Sequence, residues 1–210
     1  MIRAIVLAAG ESTRMGAPKA LLPDGAGRLF ITRVLHTYHA AGIADVTIVT
    51  GALHGGIVRA VAADAPRGAL IRFARNADPS RGQLSSLVTG LDAAAAPGAE
   101  AALVIPVDVP FVAPRTVAAV VEAFVRTGAP IVRPARGERH GHPVLFARRL
   151  FGELRRADPS RGAKSVVHAH AGETIDLHVE DEGAFVDVDT RDEYERIVLL
   201  ERRPPDASIG

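Results

Sequence analysis

An alternation constrains this chain most. Short apolar runs at residues 2–7, 46–50, 70–73 and 101–107 are separated by segments whose apolar residues recur at helical spacing. Runs this short and this continuously apolar suit strands covered on both faces. Ile31, Val34, Leu35 and Tyr38 fall on one helical face, and Gly42 ends that helix. Residues 57–63 read as a second helix, Leu84, Leu87, Val88 and Leu91 mark a third, and Val117, Val120, Val121 and Phe124 a fourth. Strand alternating with helix predicts an α/β fold built on a parallel sheet with right-handed crossovers. Further on, short strands are expected at 131–134 and 144–146 and short helices at 150–156 and 162–170. The segments 175–179 and 184–188 alternate around Asp181-Glu182-Gly183 and are expected to pair antiparallel. At 210 residues and 48% hydrophobic, the chain can bury one domain of the usual size, and a second would be cramped.

Charge and composition exclude several function classes. A net charge of +1 predicts neither a nucleic-acid groove nor an anionic membrane surface. Aromatics are 4% with no Trp, so stacking platforms for single strands are not expected. The absence of Cys rules out disulfides, thiolate metal sites and cysteine nucleophiles, and fits a reducing cytoplasm. The start of the chain lacks the basic segment and long apolar core of a signal peptide, and no apolar run approaches the roughly 18 to 20 residues needed to span a bilayer. The expectation is a cytoplasmic protein with no membrane or nucleic-acid partner.

The first strand runs into Leu7-Ala8-Ala9-Gly10-Glu11-Ser12-Thr13-Arg14-Met15-Gly16-Ala17-Pro18-Lys19. Gly10 permits a positive φ and a close approach of backbone N–H groups to an anion. Arg14 and Lys19 add fixed cations, a guanidinium gripping phosphate oxygens in pairs and an ammonium acting as a movable point charge. Of 25 basic residues only Lys19 and Lys164 are lysines, so Lys19 stands out in a chain that otherwise uses Arg. The loop follows a strand's carboxyl end, where parallel sheets bind ligands. Neither the three-glycine dinucleotide fingerprint nor the Gly-Lys-Ser/Thr of a Walker loop is present.

Three later stretches carry chemistry. Ala77-Asp78-Pro79-Ser80-Arg81-Gly82 recurs as 157–162 with unrelated flanks, which reads as one turn chemistry used twice. Asp108 ends an apolar central strand, where a carboxylate is costly without a cation or N–H partners. A helix cap does not account for it, because the helix begins near Pro114 and its cap position is Ala113. Asp187 and Asp189 precede the last helix, whose start Thr190 with Glu193 as a capping box, or Asp189 as N-cap, explains without any metal. His140 and His142 are too close and lack a third ligand spaced for a metal site.

The pattern Leu-Ala-Ala-Gly-x-Ser-x-Arg-Met-Gly-x-x-Lys resembles the N-terminal signature of nucleotidyltransferases that move NMP from an NTP onto a phosphorylated acceptor. Gly82-Gln83-Leu84-Ser85-Ser86-Leu87 resembles their Gly-x-Leu-Ser-Ser-Leu helix start. Asp108 and Pro110 stand where relatives commonly show Gly-Asp-x-Pro, with Val107 in place of the glycine. Gly141-His142-Pro143-Val144 and Asp187-Val188-Asp189-Thr190 complete a likeness to the molybdenum cofactor cytidylyltransferase-like (molybdopterin nucleotidyltransferase) family. The resemblance implies a three-layer α/β/α, Rossmann-like, mostly parallel twisted sheet with a small antiparallel element, the nucleotide-diphospho-sugar transferase fold. It implies one domain over 1–203, with 1–100 holding the NTP, 101–203 the acceptor, and 204–210 a disordered tail.

It also implies roles. Leu7, Ala8, Ala9, Gly10, Arg14, Lys19, Gly82, Ser85 and Ser86 would contact the nucleotide, with Arg14, Lys19 and Asp108 catalytic. Asp108 and Asp189, the latter taken over Asp187, would hold Mg²⁺. Arg139, Gly141 and His142 would face the acceptor, with Arg136 and His140 as auxiliary cations. Ala8-Ala9 resembles the CTP-using branch, the Ala9 methyl narrowing the base pocket. The expected enzyme is thus a Mg²⁺-dependent nucleotidyltransferase using CTP on molybdopterin, releasing pyrophosphate, with a molybdoenzyme as client. The rivals are the same fold acting on a sugar, polyol or choline phosphate, and a non-catalytic nucleotide-binding protein.

Overall fold

The computed structural model describes residues 1–10, 15–95 and 97–201, apart from the side chains of 199–201. The loop cation Arg14 and the tail 204–210 lie outside the described residues. One eight-stranded sheet runs β3 (Leu70–Arg75), β2 (Asp45–Thr50), β1 (Ile2–Ala8), β4 (Ala101–Pro106), β7 (Val144–Ala147), β5 (Ile131–Arg136) and β6 (Arg139–His140), with β8 (Thr174–His178) also on β5. Strands β1 to β4 are mutually parallel, β7 is antiparallel to both β4 and β5, and β8 is parallel to β5. This is the expected mostly parallel sheet with a small antiparallel element.

The period-2 geometry of a strand explains the three layers. On β1, Ala4, Val6 and Ala8 join a core with α1 (Phe30–Ala40), α2 (His54–Asp64) and α4 (Pro114–Thr127). Ile5, Leu7 and Ala9 join the opposite core with α3 (Gln83–Ala94), α5 (Phe151–Arg156) and α6 (Lys164–Ala169). Ile5 and Val6 are both fully buried, which is why the first run reads as apolar throughout. Helix α3 lies close on the sheet because Gly90 lacks a side chain. A Cβ there would fall 2.5 Å from Ile5 Cγ2 and 2.9 Å from Val49 Cγ2.

The expected hairpin of 175–179 with 184–188 does not form. Residues 174–178 instead add in parallel to the open edge of β5, Ile131 opposite Thr174 through Ala135 opposite His178. The segment after it is a 3₁₀ turn, Glu182–Phe185, in which Gly183 passes so close to the Phe111 carbonyl that no Cβ fits. Alternation identified the strand but could not say which edge it would find. Between the strands expected at 131–134 and 144–146 the chain forms the β5–β6 hairpin.

Asp181 was not singled out as a functional residue. It is 7% exposed, and its Oδ2 accepts from the Ala113 N–H at 2.8 Å and the Thr116 hydroxyl at 2.6 Å. A residue 68 positions away in sequence therefore satisfies the start of α4, which opens with Ala113 as cap and Pro114 next, as expected. Gly90→Val should cost about 3 kcal/mol by forcing α3 off the sheet. Urea denaturation with an unchanged midpoint would show that the helix can yield there.

Candidate active site

A cavity of ≈ 290 Å³ opens at the carboxyl ends of β1 and β4. Its walls include Leu7 to Gly10 from the first loop, Pro79, Gln83 and Ser86 from the third crossover, and Lys19, Asp108 and Asp189. Lys19 begins the 3₁₀ turn Lys19–Leu21. Its Nζ donates to Asp108 Oδ2 at 2.9 Å and to Asp189 Oδ1 at 2.6 Å.

Backbone pairing brings these three residues together. The Val107 N–H donates to Leu7 O at 3.0 Å, carrying the β1–β4 ladder one step past the strands and setting Asp108 at the mouth. The Val188 N–H donates to Asp108 O at 2.8 Å, which docks the C-terminal arm beside it. Glu193 then accepts from the N–H groups of Asp189 and Thr190 at 3.0 and 2.8 Å, while the Glu193 N–H donates to Thr190 Oγ1 at 3.3 Å. This capping box starts α7 (Arg191–Glu201) and leaves the Asp189 carboxylate turned to Lys19 rather than used as a cap. The Tyr194 hydroxyl donates to Pro23 O at 2.8 Å, tying α7 to the segment after the first loop.

The electrostatics follow from this convergence. Burial is the largest single influence on Lys19 and opposes its charge. The hydrogen bonds to Asp189 and Asp108, with their charges, outweigh it and hold the ammonium above its ordinary pKa. Asp187 is shifted up by partial desolvation and by the negative charges of Asp108 and Asp189, with Lys19 pulling the other way. Asp189, not Asp187, lines the cavity. The donor chemistry fits a hard divalent cation: Lys19 Nζ already shows that a positive charge sits between the two carboxylates. Among the described residues no three His, Cys, Asp or Glu converge to hold a metal unaided. Such an ion would therefore have to complete its shell with substrate oxygens and water, as Mg²⁺ habitually does.

The other expected site residues are placed less uniformly. Gly10 does not adopt the left-handed conformation, and a Cβ on it would meet open space, so it supplies room rather than a bend. Gly82 does have a positive φ, +87°, at the start of α3. Ser86 lines the cavity, whereas Gly82 does not and Ser85 faces a neighbouring one. Asn76, which sequence reasoning missed, is 7% exposed and donates through Nδ2 to Ser85 Oγ at 2.8 Å and Ser86 Oγ at 3.0 Å. Only its position, one residue past an apolar strand, hinted at it.

Arg139, Gly141 and His142 do not line the cavity. Arg139 donates to Glu182 at 3.1 Å and lies over the Phe185 ring, and Arg136 is ion-paired with Glu182 and Glu180. His140 faces Asp176. These charges are matched within the protein rather than left for a ligand phosphate. The Gly141 Cα approaches Ala184 O so closely that a Cβ would sit 2.4 Å from it, and the His142 N–H donates to the same carbonyl at 2.8 Å. Burial lowers the His142 imidazole to about 4, against the pull of Asp108 and a hydrogen bond with Val104, so the ring is neutral at pH 7.

Comparison with known proteins gives a consistent picture. The family described as "MobA-like NTP transferase domain" matches residues 4–174. A molybdenum cofactor guanylyltransferase of Sinorhizobium fredii is 30% identical over 182 residues, 84% of this chain and 78% of that protein. A probable molybdenum cofactor guanylyltransferase of Mycobacterium avium is 29% identical over 175 residues, 82% of this chain and 84% of that one. Among solved structures, Rv0371c from Mycobacterium tuberculosis is 31% identical with a TM-score of 0.75, covering 94% of this chain and 97% of that one. Its complex with manganese matches at 30% identity and a TM-score of 0.74 over the same shares. No helix among the described residues is long and apolar enough to cross a membrane.

Two outcomes are expected. Thr190→Ala should cost about 1 kcal/mol of stability by removing half of the capping box, measured by thermal unfolding; an unchanged Tm would mean that Asp189 is held without it. For His142, the folded chain carries fewer protons on this ring than the unfolded chain between its ordinary pKa of 6.5 and about 4, so stability falls as pH is lowered through that window. His142→Gln should flatten that fall, and the wild-type ring should titrate by NMR near 4; a midpoint near 6.5 would contradict its burial.

Proposed function

We propose, from the premise that this chain belongs to the MobA-like NTP transferase domain family, that it moves GMP from GTP onto the phosphate of molybdopterin and releases pyrophosphate. The observation that carries the reading is the Lys19 ammonium set between Asp108 and Asp189 at the carboxyl ends of the two central strands. Transfer of this kind asks a protein for positioning and charge stabilisation rather than a covalent nucleophile. In this reading residues 1–100 hold the nucleotide and 101–203 the acceptor. Leu7, Ala8, Ala9, Gly10 and Lys19 line the floor on which the triphosphate lies, Arg14 of the same loop would add a further cation for the phosphates, and Ser86 forms the wall beside the base, with Gly82 and Ser85 supporting it from behind. Lys19 swings from the carboxylates to the leaving phosphates, a short move for a flexible ammonium. Asp108 and Asp189 would then hold Mg²⁺ or Mn²⁺, which supplies positive charge to phosphate oxygens when bound. Arg139, Gly141 and His142 shape the acceptor side as a fixed, internally neutralised wall, since their charges are already matched or absent.

The donor assignment favours GTP over the CTP expected from Ala8-Ala9. Ala9 is 5% exposed and belongs to the core under α3, so its methyl has little reach into the base pocket. The curated relatives are molybdenum cofactor guanylyltransferases, which supports the same choice.

The test is pyrophosphate release from GTP, CTP, ATP and UTP, each with molybdopterin and either Mg²⁺ or Mn²⁺. GTP should be used at least about tenfold better than CTP; preference for CTP would overturn the donor, and no release from any of the four would overturn the activity. Asp108→Asn should lower kcat by about 10²-fold or more, as removal of a charge-stabilising group does. Lys19→Met should weaken triphosphate binding, and unchanged affinity by calorimetry would discredit the loop's role.

A further inference from the structure

The repeated hexapeptide has a structural consequence that the nucleotide cleft does not use. Both copies fold as the same turn. In each, the Ser hydroxyl donates to the Asp carboxylate, Ser80 to Asp78 and Ser160 to Asp158, and the closing glycine takes a positive φ, +87° at Gly82 and +63° at Gly162. The first turn follows β3 and the second follows α5, and they face each other across a separate cavity of ≈ 410 Å³. Ala77, Asp78 and Arg81 line it from one copy, Ala157 and Pro159 from the other.

The lining is cationic on an apolar floor. Arg75, Arg81 and Arg155 reach it, against the single carboxylate of Asp78 among the lining residues. Arg155 donates to Asp92 at 2.7 Å and is matched by it, which leaves a surplus of one positive charge, and neither Arg75 nor Arg81 has an ion-pair partner among the described residues. Leu84 and Val88 form the floor. Guanidiniums grip phosphate in pairs, and a phosphate monoester carries the negative charge that this lining lacks. The wall between the two cavities is Asn76 with Ser85 and Ser86: Asn76 holds both hydroxyls, one on each side.

We infer that this second cavity binds the phosphate monoester of a small organic molecule, separately from the nucleotide cleft. Arg75 and Arg81 would clasp the phosphate and Leu84 and Val88 would take the apolar body. The inference goes beyond the transferase reading and does not rest on it.

The probe is phenyl phosphate, titrated into the full-length chain by calorimetry and by NMR of the Ala77, Ser85, Val88 and Ala157 amides. Inorganic phosphate and phenol serve as the charge-only and apolar-only arms. Wild type and Lys19→Met should bind the ester equally, because Lys19 belongs to the other cavity. Arg75→Gln with Arg81→Gln should bind about tenfold or more weakly, with Tm and GTP affinity unchanged. Arg81→Glu alone provides the same test should the double variant fold poorly. Loss of binding in Lys19→Met with retention in the Arg variants would overturn the assignment. So would phenol binding as tightly as the ester, and inorganic phosphate matching the ester would remove the organic body from it.

Discussion

Two carboxylates that face one point repel each other unless a cation lies between them, and the site depends on how this chain meets that need. Asp108 and Asp189 come from positions 81 residues apart, and Lys19 from a third place near the start. Unit charges at such distances interact by about 4 kcal/mol at the effective dielectric of a protein surface, which is enough to bias where a loop end and a terminal arm settle. Lys19 is 12% exposed, so the attraction is less screened than at an open surface. The backbone bond from Val188 to Asp108 and the capping box at Thr190 then do for the main chain what Lys19 does for the side chains. Together with the burial of Ala184 and Val188 in the core and the Tyr194 ring against Phe30, they fix the arm across the sheet's end.

Much of this was legible in the sequence, and its limits have physical causes. The strands could be read because both faces of a parallel sheet are buried, so Ile5 and Val6 announce β1 without needing a partner. Asp108 stood out because a carboxylate ending such a run needs an explanation, and Thr190 with Glu193 because a capping box is local. Partner choice over long separations could not be read. The alternation at 175–179 marked a strand but left open whether it would pair with its neighbour in sequence or with the free edge of β5. Arg136 and Arg139 counted as available cations until the fold brought Glu182 beside them. Asp181 and Asn76 carry no motif at all; each matters because of what lies across a gap in space, the unsatisfied start of α4 in one case and two serines in the other.

On the two proposals made above, the molecule handles anions in two different ways within a short distance. In the nucleotide cleft the positive charge is an ammonium on a flexible stem, already engaged by acids that it can exchange for phosphate. In the cavity between the hexapeptide turns the charge is carried by planar guanidiniums on the end of β3 and on a turn, and among the described residues these two have no acid to leave. One arrangement suits a reaction in which charge must move, the other suits holding. Asn76 is the physical boundary, because its amide is committed to a hydroxyl on either side.

The position of β1 has a consequence for how the chain is made. It precedes the other described strands and lies inside the sheet, yet the neighbour on one side, β4, begins only at Ala101. The residues between β1 and β4 must leave the ribosome before that flank is covered, and a bare, largely apolar strand invites pairing with another nascent chain. Arg3 interrupts the strand there. In the finished protein it is tucked away at 7% exposure against Asp45 and the Ala94 carbonyl. Before β4 arrives, its charge gives the growing chain a gatekeeper against aggregation.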